Sequence, residues 1–553
     1  MSSLDIARKA KPSHIHSLAN SAGIRLDEIE QYGNYKAKVS LRVLERLWTR
    51  PNAKLICVSG MTPTREGDGK TCTSIGLTQA LGVLKKKVFL CLREPSLSPI
   101  FGFKGGATGG GYAQVLPMDD INLHFTGDIH AVEIAHNLLA AVLDSHIHHG
   151  NALGIDKQRI FWRRSLDISD RQLREIAGGM AKGSKYPKNK TGFDITAASE
   201  VMACLSLCTS VHSLKAKLAK ISVALAEDGQ LITSKDLKAV GAMALLLKDA
   251  IKPNLVQTLE GQPAFVHTGP FANVSHGNNS VIATLMASKL ANYVVTESGF
   301  ATDLGMEKMF DIVSREGNLK PSVVVIVVSV KALKSHSGEF IASKKLGDVF
   351  KEGFANVDHH IQNVRRFGVE PVIAINRFPD DSEEEIRAVK DYFHTHSVEC
   401  AVSDVVRLGG KGGVELAEKV LKVIADKPSQ FKPFYDLSLS TEEKIHKIAT
   451  EVYGASGVTY LDQAKEDLEM IHHQKLDGLP VNIAKTPYSL SDDSHLKGAP
   501  TGWKLKVRGI RPYSGAGFLV VLAGKMLLMP GLPEKPMLEN MDLTDEGYAK
   551  GLV

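Results

Sequence analysis

The fold-defining stretch reads Lys54-Leu-Ile-Cys-Val-Ser-Gly60, then Met-Thr-Pro-Thr-Arg-Glu-Gly-Asp-Gly, then Lys70-Thr-Cys-Thr-Ser-Ile75. Its first part is a short apolar run that ends in glycine, which is typical of a buried strand. A loop rich in Gly, Thr and Pro follows, and a helical segment over 70–84 leads to a second apolar run at 87–92. A strand, a glycine-rich loop, a helix and a second strand form a βαβ unit, whose two strands are parallel.

Further apolar runs predict more buried strands at 293–296, 322–330, 371–375 and 400–403. Helical stretches separate most of them, and one begins at Ser382-Glu-Glu-Glu385, a capping box with acidic residues in its first turn. Such alternation predicts an α/β fold with a mostly parallel sheet covered by helices. The first fifty residues show a helical pattern, clearest at 40–48, where Leu41, Leu44 and Leu47 share one face.

Composition and charge exclude several classes of protein. The chain has 553 residues, of which 43% are hydrophobic and 23% charged, as in ordinary globular proteins rather than disordered or collagen-like ones. This length favours about two to four domains. The net charge of +6 is spread along the chain, whereas nucleic-acid binding requires a concentrated basic stripe. We therefore expect no nucleic-acid partner.

The cysteines and the apolar runs indicate a reduced, cytoplasmic protein without a membrane partner. None of the six cysteines forms a C-x-x-C pair, and Cys204 and Cys208 have the spacing of two small buried residues on one helix. The N-terminus lacks the apolar core of a signal peptide. The longest strongly apolar run, 323–330, is far shorter than the roughly 20 residues of a membrane helix.

The loop at 60–71 predicts an ATP site. It departs from the G-x-x-x-x-G-K-[ST] pattern at Thr64, where glycine is required, but matches it at Gly69, Lys70 and Thr71. Glycines let backbone N–H groups face a phosphate, and a lysine neutralises its oxygens. Thr71 is placed to bind the Mg²⁺ that accompanies ATP. The alternative is a glycine-rich turn with a solvated lysine. The predicted ATP-binding residues are Thr64, Arg65, Glu66, Gly67, Asp68, Gly69, Lys70 and Thr71.

Arg93 follows the second strand, and a glycine-rich run at 102–111 comes next. Ligands of open α/β sheets bind beyond the carboxyl ends of the strands, where a guanidinium can clamp a carboxylate or phosphate. The alternative for Arg93 is a structural ion pair with Glu94 or another acid. The glycine run indicates close approach of the backbone to a ligand.

Two other groups of polar residues predict no site. Histidines cluster at 124–130 and 146–149, but no predicted element places them on one face, so we expect hydrogen-bonded structural roles rather than a metal site. The basic segment 182–192 is predicted to be a solvated surface loop.

Nine segments together resemble formate–tetrahydrofolate ligase. They run in the family's order from near residue 20 to the end of the chain, with no dehydrogenase or cyclohydrolase segment, so the resemblance is to the monofunctional bacterial form. The segments are Met61-Thr-Pro-Thr64, Leu92-Arg-Glu-Pro-Ser-Leu97, Gly109-Gly-Gly-Tyr-Ala-Gln114, Asn122-Leu-His-Phe-Thr-Gly-Asp128, Lys248-Asp-Ala-Ile-Lys-Pro-Asn-Leu-Val-Gln-Thr258, Gly269-Pro-Phe-Ala-Asn273, Asn376-Arg-Phe-Pro379, Ala484-Lys-Thr-Pro-Tyr-Ser-Leu-Ser-Asp492 and Met529-Pro-Gly-Leu-Pro533.

The resemblance implies a two-step reaction of one-carbon metabolism. ATP phosphorylates formate to formyl phosphate, and tetrahydrofolate then attacks the formyl carbon to give 10-formyltetrahydrofolate and phosphate, with ADP as the other product. Lys70 would serve the γ-phosphoryl group, Arg93 matches the family's formyl-phosphate arginine, and Glu94 would face the folate. The proton acceptor stays open, with Asp128 and His130 as candidates.

The predicted folate site departs from the family pattern. The pterin ring is held in the family between two aromatic side chains, of which Phe378 matches the first. Val406 stands where tryptophan is expected, and Leu408 stands where lysine is expected. Loss of one aromatic partner forfeits about 0.5–1.5 kcal/mol of stacking. We therefore expect altered or weaker folate recognition, with ATP binding retained.

The resemblance also implies a division of the chain and its partners. We expect a nucleotide and formyl-phosphate domain at 1–365, a folate-contacting α/β domain at 366–440 and a C-terminal domain at 441–553. Formate, tetrahydrofolate and ATP with Mg²⁺ are the expected ligands, together with K⁺ or NH₄⁺, in a homotetramer. Two alternatives are a carboxylate-activating ligase or kinase with another second substrate, and a non-catalytic nucleotide-binding homologue.

Overall fold

A computed structural model of the chain describes residues 2–179, 190–337, 346–524 and 527–553. Most of the predicted surface loop at 182–192 lies outside these residues. Within the described ranges, no helix combines the length and apolarity needed to cross a membrane.

The described residues form 25 strands. In chain order they are β1 (Ile29–Gln31), β2 (Ala37–Val39), β3 (Lys54–Gly60), β4 (Val88–Leu92), β5 (Gly109–Gly110), β6 (Ala113–Leu116), β7 (Ile155–Ile160), β8 (Arg164–Leu166), β9 (Ile176–Ala177), β10 (Lys190–Thr191), β11 (Phe193–Ile195), β12 (Ser222–Ala226), β13 (Leu231–Thr233), β14 (Asn254–Thr258), β15 (Pro263–Val266), β16 (Tyr293–Glu297), β17 (Pro321–Val328), β18 (Pro371–Asn376), β19 (Cys400–Ser403), β20 (Val458–Tyr460), β21 (Val481–Ala484), β22 (Leu505–Tyr513), β23 (Phe518–Ala523), β24 (Asp542–Leu543) and β25 (Ala549–Lys550).

The helices pack around and between these strands. They are α1 (Ser3–Lys9), α2 (Ile15–Ala22), α3 (Arg42–Arg46), α4 (Lys70–Val83), α5 (Leu97–Pro99), α6 (Met118–Asn122), α7 (Asp128–His148), α8 (Glu200–Leu207), α9 (Val211–Leu218), α10 (Val240–Leu246), α11 (Val281–Leu290), α12 (Ser314–Gly317), α13 (Val330–His336), α14 (Leu346–Arg366), α15 (Glu383–Thr395), α16 (Val405–Leu408), α17 (Val414–Asp426), α18 (Thr441–Lys447) and α19 (Asp462–His473).

One large sheet organises the molecule. Ten of its twelve strands follow the order β1-β2-β14-β15-β4-β16-β3-β17-β18-β19, and β6 joins β14 beside β5. All neighbours from β15 to β19 are parallel, whereas the remaining pairs, at the β1 end, are antiparallel. The α/β fold with a mostly parallel sheet, predicted from the alternating pattern, is therefore confirmed. Separate apolar clusters cover the two faces, which is why the parallel strands are apolar on both sides.

The predicted strands and caps lie where the local pattern places them. Strand β3, helix α4 and strand β4 form the predicted βαβ unit, and the Ser382 capping box begins α15. Cys204 and Cys208 are fully buried, as predicted. The apolar run at 322–330 ends as a strand at Val328, because Ser329 caps the next helix through the backbone N–H of Ala332.

The helical interpretation of the first fifty residues is wrong for β1 and β2. These three-residue strands pair with each other, and β2 pairs in turn with β14, more than 200 residues later in the chain. All three residues of β2 are buried there, including Lys38. A long-range partner, which no local pattern contains, thus decides their structure.

The C-terminal part of the chain forms a second, smaller layer. Strands β20, β22, β23 and β21 form a four-stranded sheet, which shares an apolar cluster with α18 and α19. Helix α18 begins at a capping box formed by Ser440 and Glu443. Strands β24 and β25 form a hairpin near the end of the chain.

Candidate active site

The carboxyl ends of the parallel strands gather the candidate residues at one edge of the sheet. Strand β3 leads into the loop 61–69, β4 ends just before Arg93, β16 ends at Glu297, and β18 ends at Asn376. Strand β3 lies between β16 and β17, and β16 separates it from β4. The connection from β3 to β4 and the connection from β16 to β17 therefore run in opposite directions along the sheet. A crevice at such a point is where open α/β sheets bind ligands.

A buried polar network holds the start of the loop. The backbone N–H of Thr62 donates to Nε2 of His360 at 2.9 Å, and its carbonyl accepts from Nε2 of His336 at 3.0 Å. Asn356 donates to the Thr62 hydroxyl at 3.0 Å. Burial lowers the pKa of His360 to about 3, so this ring stays neutral and can accept a hydrogen bond. The loop therefore leaves β3 in a fixed direction.

The loop lacks the glycine expected at position 64, and side-chain hydrogen bonds of Asp68 hold it in place. Its carboxylate accepts from the backbone N–H of Thr64 at 2.8 Å and from the Ser329 hydroxyl at 2.7 Å. The Asp68 carbonyl accepts from the Asn376 amide at 3.1 Å. Gly69 has φ +78°, and a Cβ there would lie 2.3 Å from Nδ2 of Asn376. Glycine is required at 69 both for the left-handed backbone and for this close approach.

The exposed tip of the loop carries the remaining predicted ATP residues. Arg65, Glu66 and Gly67 are all solvent-exposed, and Glu66 forms an ion pair with Lys331. Gly67 also has a left-handed backbone, at φ +88°, but a Cβ at this position would meet no neighbouring atom. The tip and the base of the loop thus differ in how tightly the rest of the protein holds them.

Two candidate residues approach the carboxylate of Glu297, and the charge of this carboxylate also acts on a third. The Thr71 hydroxyl donates to Oε2 at 2.8 Å, and Nη2 of Arg93 lies 3.6 Å from Oε1. Burial lowers the pKa of Lys70 to about 8, while the charges of Asp68 and Glu297 raise it. The structure therefore places Thr71 and Arg93 at one buried acid, next to Lys70 in the chain.

Arg93 keeps hydrogen-bonding capacity for a ligand. Its Nη1 donates to the carbonyl of Pro270 at 3.3 Å, and its buried Nε has no hydrogen-bond partner among the described residues. Within the described part of the chain, Arg93 forms an ion pair with Glu297 alone, at a distance longer than a hydrogen bond. A guanidinium paired on one side only can still bind an anion on the other.

Glu94 lies apart from this group, in a separate buried cluster. Burial raises the pKa of Glu94 well above its usual range, and the nearby Asp128 charge raises it further. Asp128 accepts from Lys38 Nζ at 2.6 Å and from the Asn254 amide at 2.8 Å. A Cβ at Gly269 would lie 2.3 Å from the Glu94 carbonyl, so the close approach of these two backbone segments requires glycine at 269.

The predicted folate residues follow two neighbouring strands. Phe378 comes after β18, half-buried, with its backbone N–H bonded to Asp381 at 2.8 Å. Val406 lies in α16, after β19, and is 39% exposed. Its carbonyl accepts from the backbone N–H of Tyr112 at 2.8 Å, so Tyr112, 40% exposed, is an aromatic residue beside the valine.

The histidine clusters form no metal group among the described residues. Among the described residues, three potential metal ligands lie close enough together to share one ion only at Glu442, His472 and Asp477, which are not part of these clusters. Of the two candidate proton acceptors, Asp128 is buried against Lys38 and His130 is exposed on α7.

Glu297 is the main residue that sequence reasoning missed. It is the last residue of β16, whose predicted range ended one residue earlier, at 296. A carboxylate at the end of a buried parallel strand was the available signal. Of the residues that hold the loop, Asn376 is the last residue of β18 and Ser329 directly follows β17.

Comparisons with known proteins agree over the whole chain. The family model described as formate–tetrahydrofolate ligase matches residues 1–553. A protein named formate–tetrahydrofolate ligase from Staphylococcus aureus (strain NCTC 8325 / PS 47) is 48% identical over 555 residues, which cover 100% of this chain and 99% of the relative. The protein of the same name from strain MSSA476 shows the same identity and coverage.

Proposed function

Because the chain belongs to the formate–tetrahydrofolate ligase family and joins formate to tetrahydrofolate with ATP, we propose that Lys70, Thr71, Arg93 and Glu297 form its phosphoryl-transfer site. The observation that carries this proposal is the approach of Thr71 and Arg93 to the Glu297 carboxylate at the carboxyl edge of the sheet, directly beside Lys70 in the chain. The loop 64–71 holds the nucleotide phosphates. Hydrogen bonds to the Asp68 carboxylate fix the shape of this loop.

The first step transfers the γ-phosphoryl group to formate. A formate oxygen attacks the γ-phosphorus, the bond to the ADP oxygen breaks, and formyl phosphate and ADP result. Formate is already an anion, so this step needs charge neutralisation and alignment rather than a base. Lys70 neutralises the phosphate oxygens, and Arg93 uses its free donors to hold formyl phosphate.

The donors at Thr71 and Glu297 fit Mg²⁺. A hydroxyl and a carboxylate 2.8 Å apart are the hard oxygen ligands that Mg²⁺ takes alongside substrate phosphates. When bound, the ion would neutralise charge on the transferring phosphates. In the structure the Thr71 hydroxyl donates directly to Oε2 of Glu297.

The second step forms the new carbon–nitrogen bond. The tetrahydrofolate nitrogen attacks the formyl carbon, the bond between carbon and the phosphate oxygen breaks, and 10-formyltetrahydrofolate and phosphate leave. Arg93 stabilises the negative charge that develops on the departing phosphate. Phe378 contacts the pterin, with Val406 and Tyr112 on the other strand-end segment. Glu94 faces the folate side, and its burial, which raises its pKa, favours the neutral form of its carboxyl group.

Substrate omission tests the activity. With ATP, formate and tetrahydrofolate together we expect 10-formyltetrahydrofolate, and removal of any one should abolish it. Turnover of another carboxylate in place of formate would favour the carboxylate-activating alternative, and ATP binding without any product would favour the non-catalytic one. The cytoplasmic location, the domain boundaries, the homotetramer and the K⁺ or NH₄⁺ requirement stay predictions.

The residue assignments need their own experiment. Lys70→Ala and Arg93→Ala should each lower kcat/KM for formate about 100-fold or more, the usual cost of losing one charge-stabilising donor. Glu383→Gln, on an exposed acid paired with Arg377, serves as the control and should behave as the wild type. Full activity in Lys70→Ala would overturn the proposed site.

A further inference from the structure

We propose that Lys308 is a positioning residue for Arg93 and that it acts through the loop 267–280, which joins β15 to α11. The inference rests on the proposed role of Arg93 in holding formyl phosphate. Lys308 lies between β16 and β17 and is fully buried, so it meets no substrate itself. It acts by holding the backbone against which the Arg93 guanidinium lies.

The ammonium group of Lys308 holds the loop by a direct hydrogen bond. Its Nζ donates to the carbonyl of Ala272 at 2.5 Å, and both residues are buried. Burial of a charged group costs free energy unless hydrogen bonds compensate for the lost water. An apolar side chain of similar length would fill the same space without this cost. The feature that the lysine adds is therefore its hold on Ala272.

The stretch that this lysine holds also bears a backbone contact of Arg93. Nη1 of Arg93 donates to the carbonyl of Pro270 at 3.3 Å, two residues before Ala272. Between them, the backbone N–H of Phe271 donates to the carbonyl of Ala197 at 3.1 Å. Each of three successive loop residues thus has a partner from elsewhere in the chain. Loss of the third contact would loosen the stretch on which the guanidinium rests.

Ala272 and the guanidinium lie next to the same glycine, just after the end of β16. A Cβ at Gly299 would lie 2.4 Å from Cβ of Ala272 and 3.3 Å from Nη1 of Arg93. The backbone N–H of Gly299 donates to the Gly277 carbonyl at 3.0 Å, which ties a later part of the loop to the same place. Gly299 follows Glu297, the ion-pair partner of Arg93, by two residues. A displacement of Ala272 therefore changes the space in which the guanidinium meets its carboxylate.

Lys308→Met removes the ammonium group and keeps the side chain long and apolar. We expect kcat/KM for formate to fall about 10- to 100-fold, partly through a higher KM for formate, because a misplacement of about 1 Å can cost about 100-fold. KM for ATP should change less than about twofold, since the loop 64–71 keeps its own hydrogen bonds to Asp68. A merely structural loss would lower the amount of active enzyme and leave both KM values unchanged.

A double-mutant cycle with Arg93→Ala separates positioning from an independent effect. In the Arg93→Ala background, Lys308→Met should lower kcat/KM for formate less than about twofold further, because the guanidinium through which the lysine acts is gone. Full multiplication of the two losses would overturn the inference. So would wild-type kinetics in Lys308→Met.

Lys444→Met is the matched control. Lys444 is likewise fully buried and donates to a backbone carbonyl, that of Leu479 at 3.2 Å, in the C-terminal layer. The control should destabilise the fold but leave kcat and both KM values unchanged, and equal kinetic losses in the two lysine variants would contradict the inference. If Lys308→Met fails to fold, Ala272→Gly loosens the same loop without removing a charge and takes its place in the cycle.

The same assays separate this inference from the proposed function. Loss of activity in Arg93→Ala together with wild-type kinetics in Lys308→Met would contradict only the inference about Lys308. Full activity in Arg93→Ala would contradict the proposed site itself.

Discussion

Substituting each of the two loop glycines by alanine tests how tightly the protein holds the base of the loop. Gly67 and Gly69 both have left-handed backbones, with φ values of +88° and +78°. An L-residue in this conformation costs roughly 1–2 kcal/mol. Gly67→Ala and Gly69→Ala should therefore share this backbone cost.

The two positions differ in what a side chain would meet. No atom lies within 4 Å of a Cβ at Gly67, whereas a Cβ at Gly69 would lie 2.3 Å from Nδ2 of Asn376. The Asn376 side chain must then move and lose its 3.1 Å hydrogen bond to the Asp68 carbonyl. Leaving a buried polar group without its partner costs about 1–3 kcal/mol. Gly69→Ala should thus weaken ATP binding about 5- to 150-fold more than Gly67→Ala.

The assay compares KM for ATP and the dissociation constant of ADP in both variants, with thermal unfolding as a check on the fold. In an Asn376→Ala background the clash is absent, so Gly69→Ala should then cost no more than Gly67→Ala. Equal effects of the two glycine substitutions in the unmodified chain would refute the reasoning. So would an excess cost at position 69 that persists without the asparagine.

Three further substitutions probe the site. Lys70 should lose its proton near pH 8 in the free enzyme, so kcat/KM for ATP should fall about tenfold per pH unit above pH 8. In Lys70→Arg this fall should move beyond about pH 10. An unchanged pH profile in Lys70→Arg would contradict the assignment. Glu297→Gln removes a charge that raises the pKa of Lys70, so the fall in kcat/KM for ATP should begin at lower pH. The KM for Mg²⁺ should also increase, which titration of Mg²⁺ at fixed ATP measures. Val406→Trp should lower KM for tetrahydrofolate about 2- to 10-fold through stacking, with KM for ATP unchanged, and Val406→Leu controls for size.

Local patterns were sufficient for the elements that carry the proposed phosphate-binding loop. An apolar run, a glycine-rich loop and a helical segment lie next to one another in the chain, so β3, α4 and β4 form where their own residues direct them. Lys70, Thr71 and Arg93 follow from that unit, because ligands bind at the carboxyl ends of parallel strands. Strands β1 and β2 were missed, since β2 pairs with β14, whose residues lie far along the chain, and β1 pairs with β2.

The sequence by itself determined the α/β class and the central βαβ unit, and it singled out the residues that we propose to meet phosphate. Only the tertiary structure decided that β16 lies between β4 and β3, which brings Glu297 to residues that precede it by about 200 positions. It likewise decided that Lys308 holds Ala272, two residues after the carbonyl that accepts from Arg93. The physical reason is range: hydrogen bonds within a helix or turn depend on neighbours in the chain, whereas strand order and side-chain contacts depend on how distant apolar surfaces are buried together.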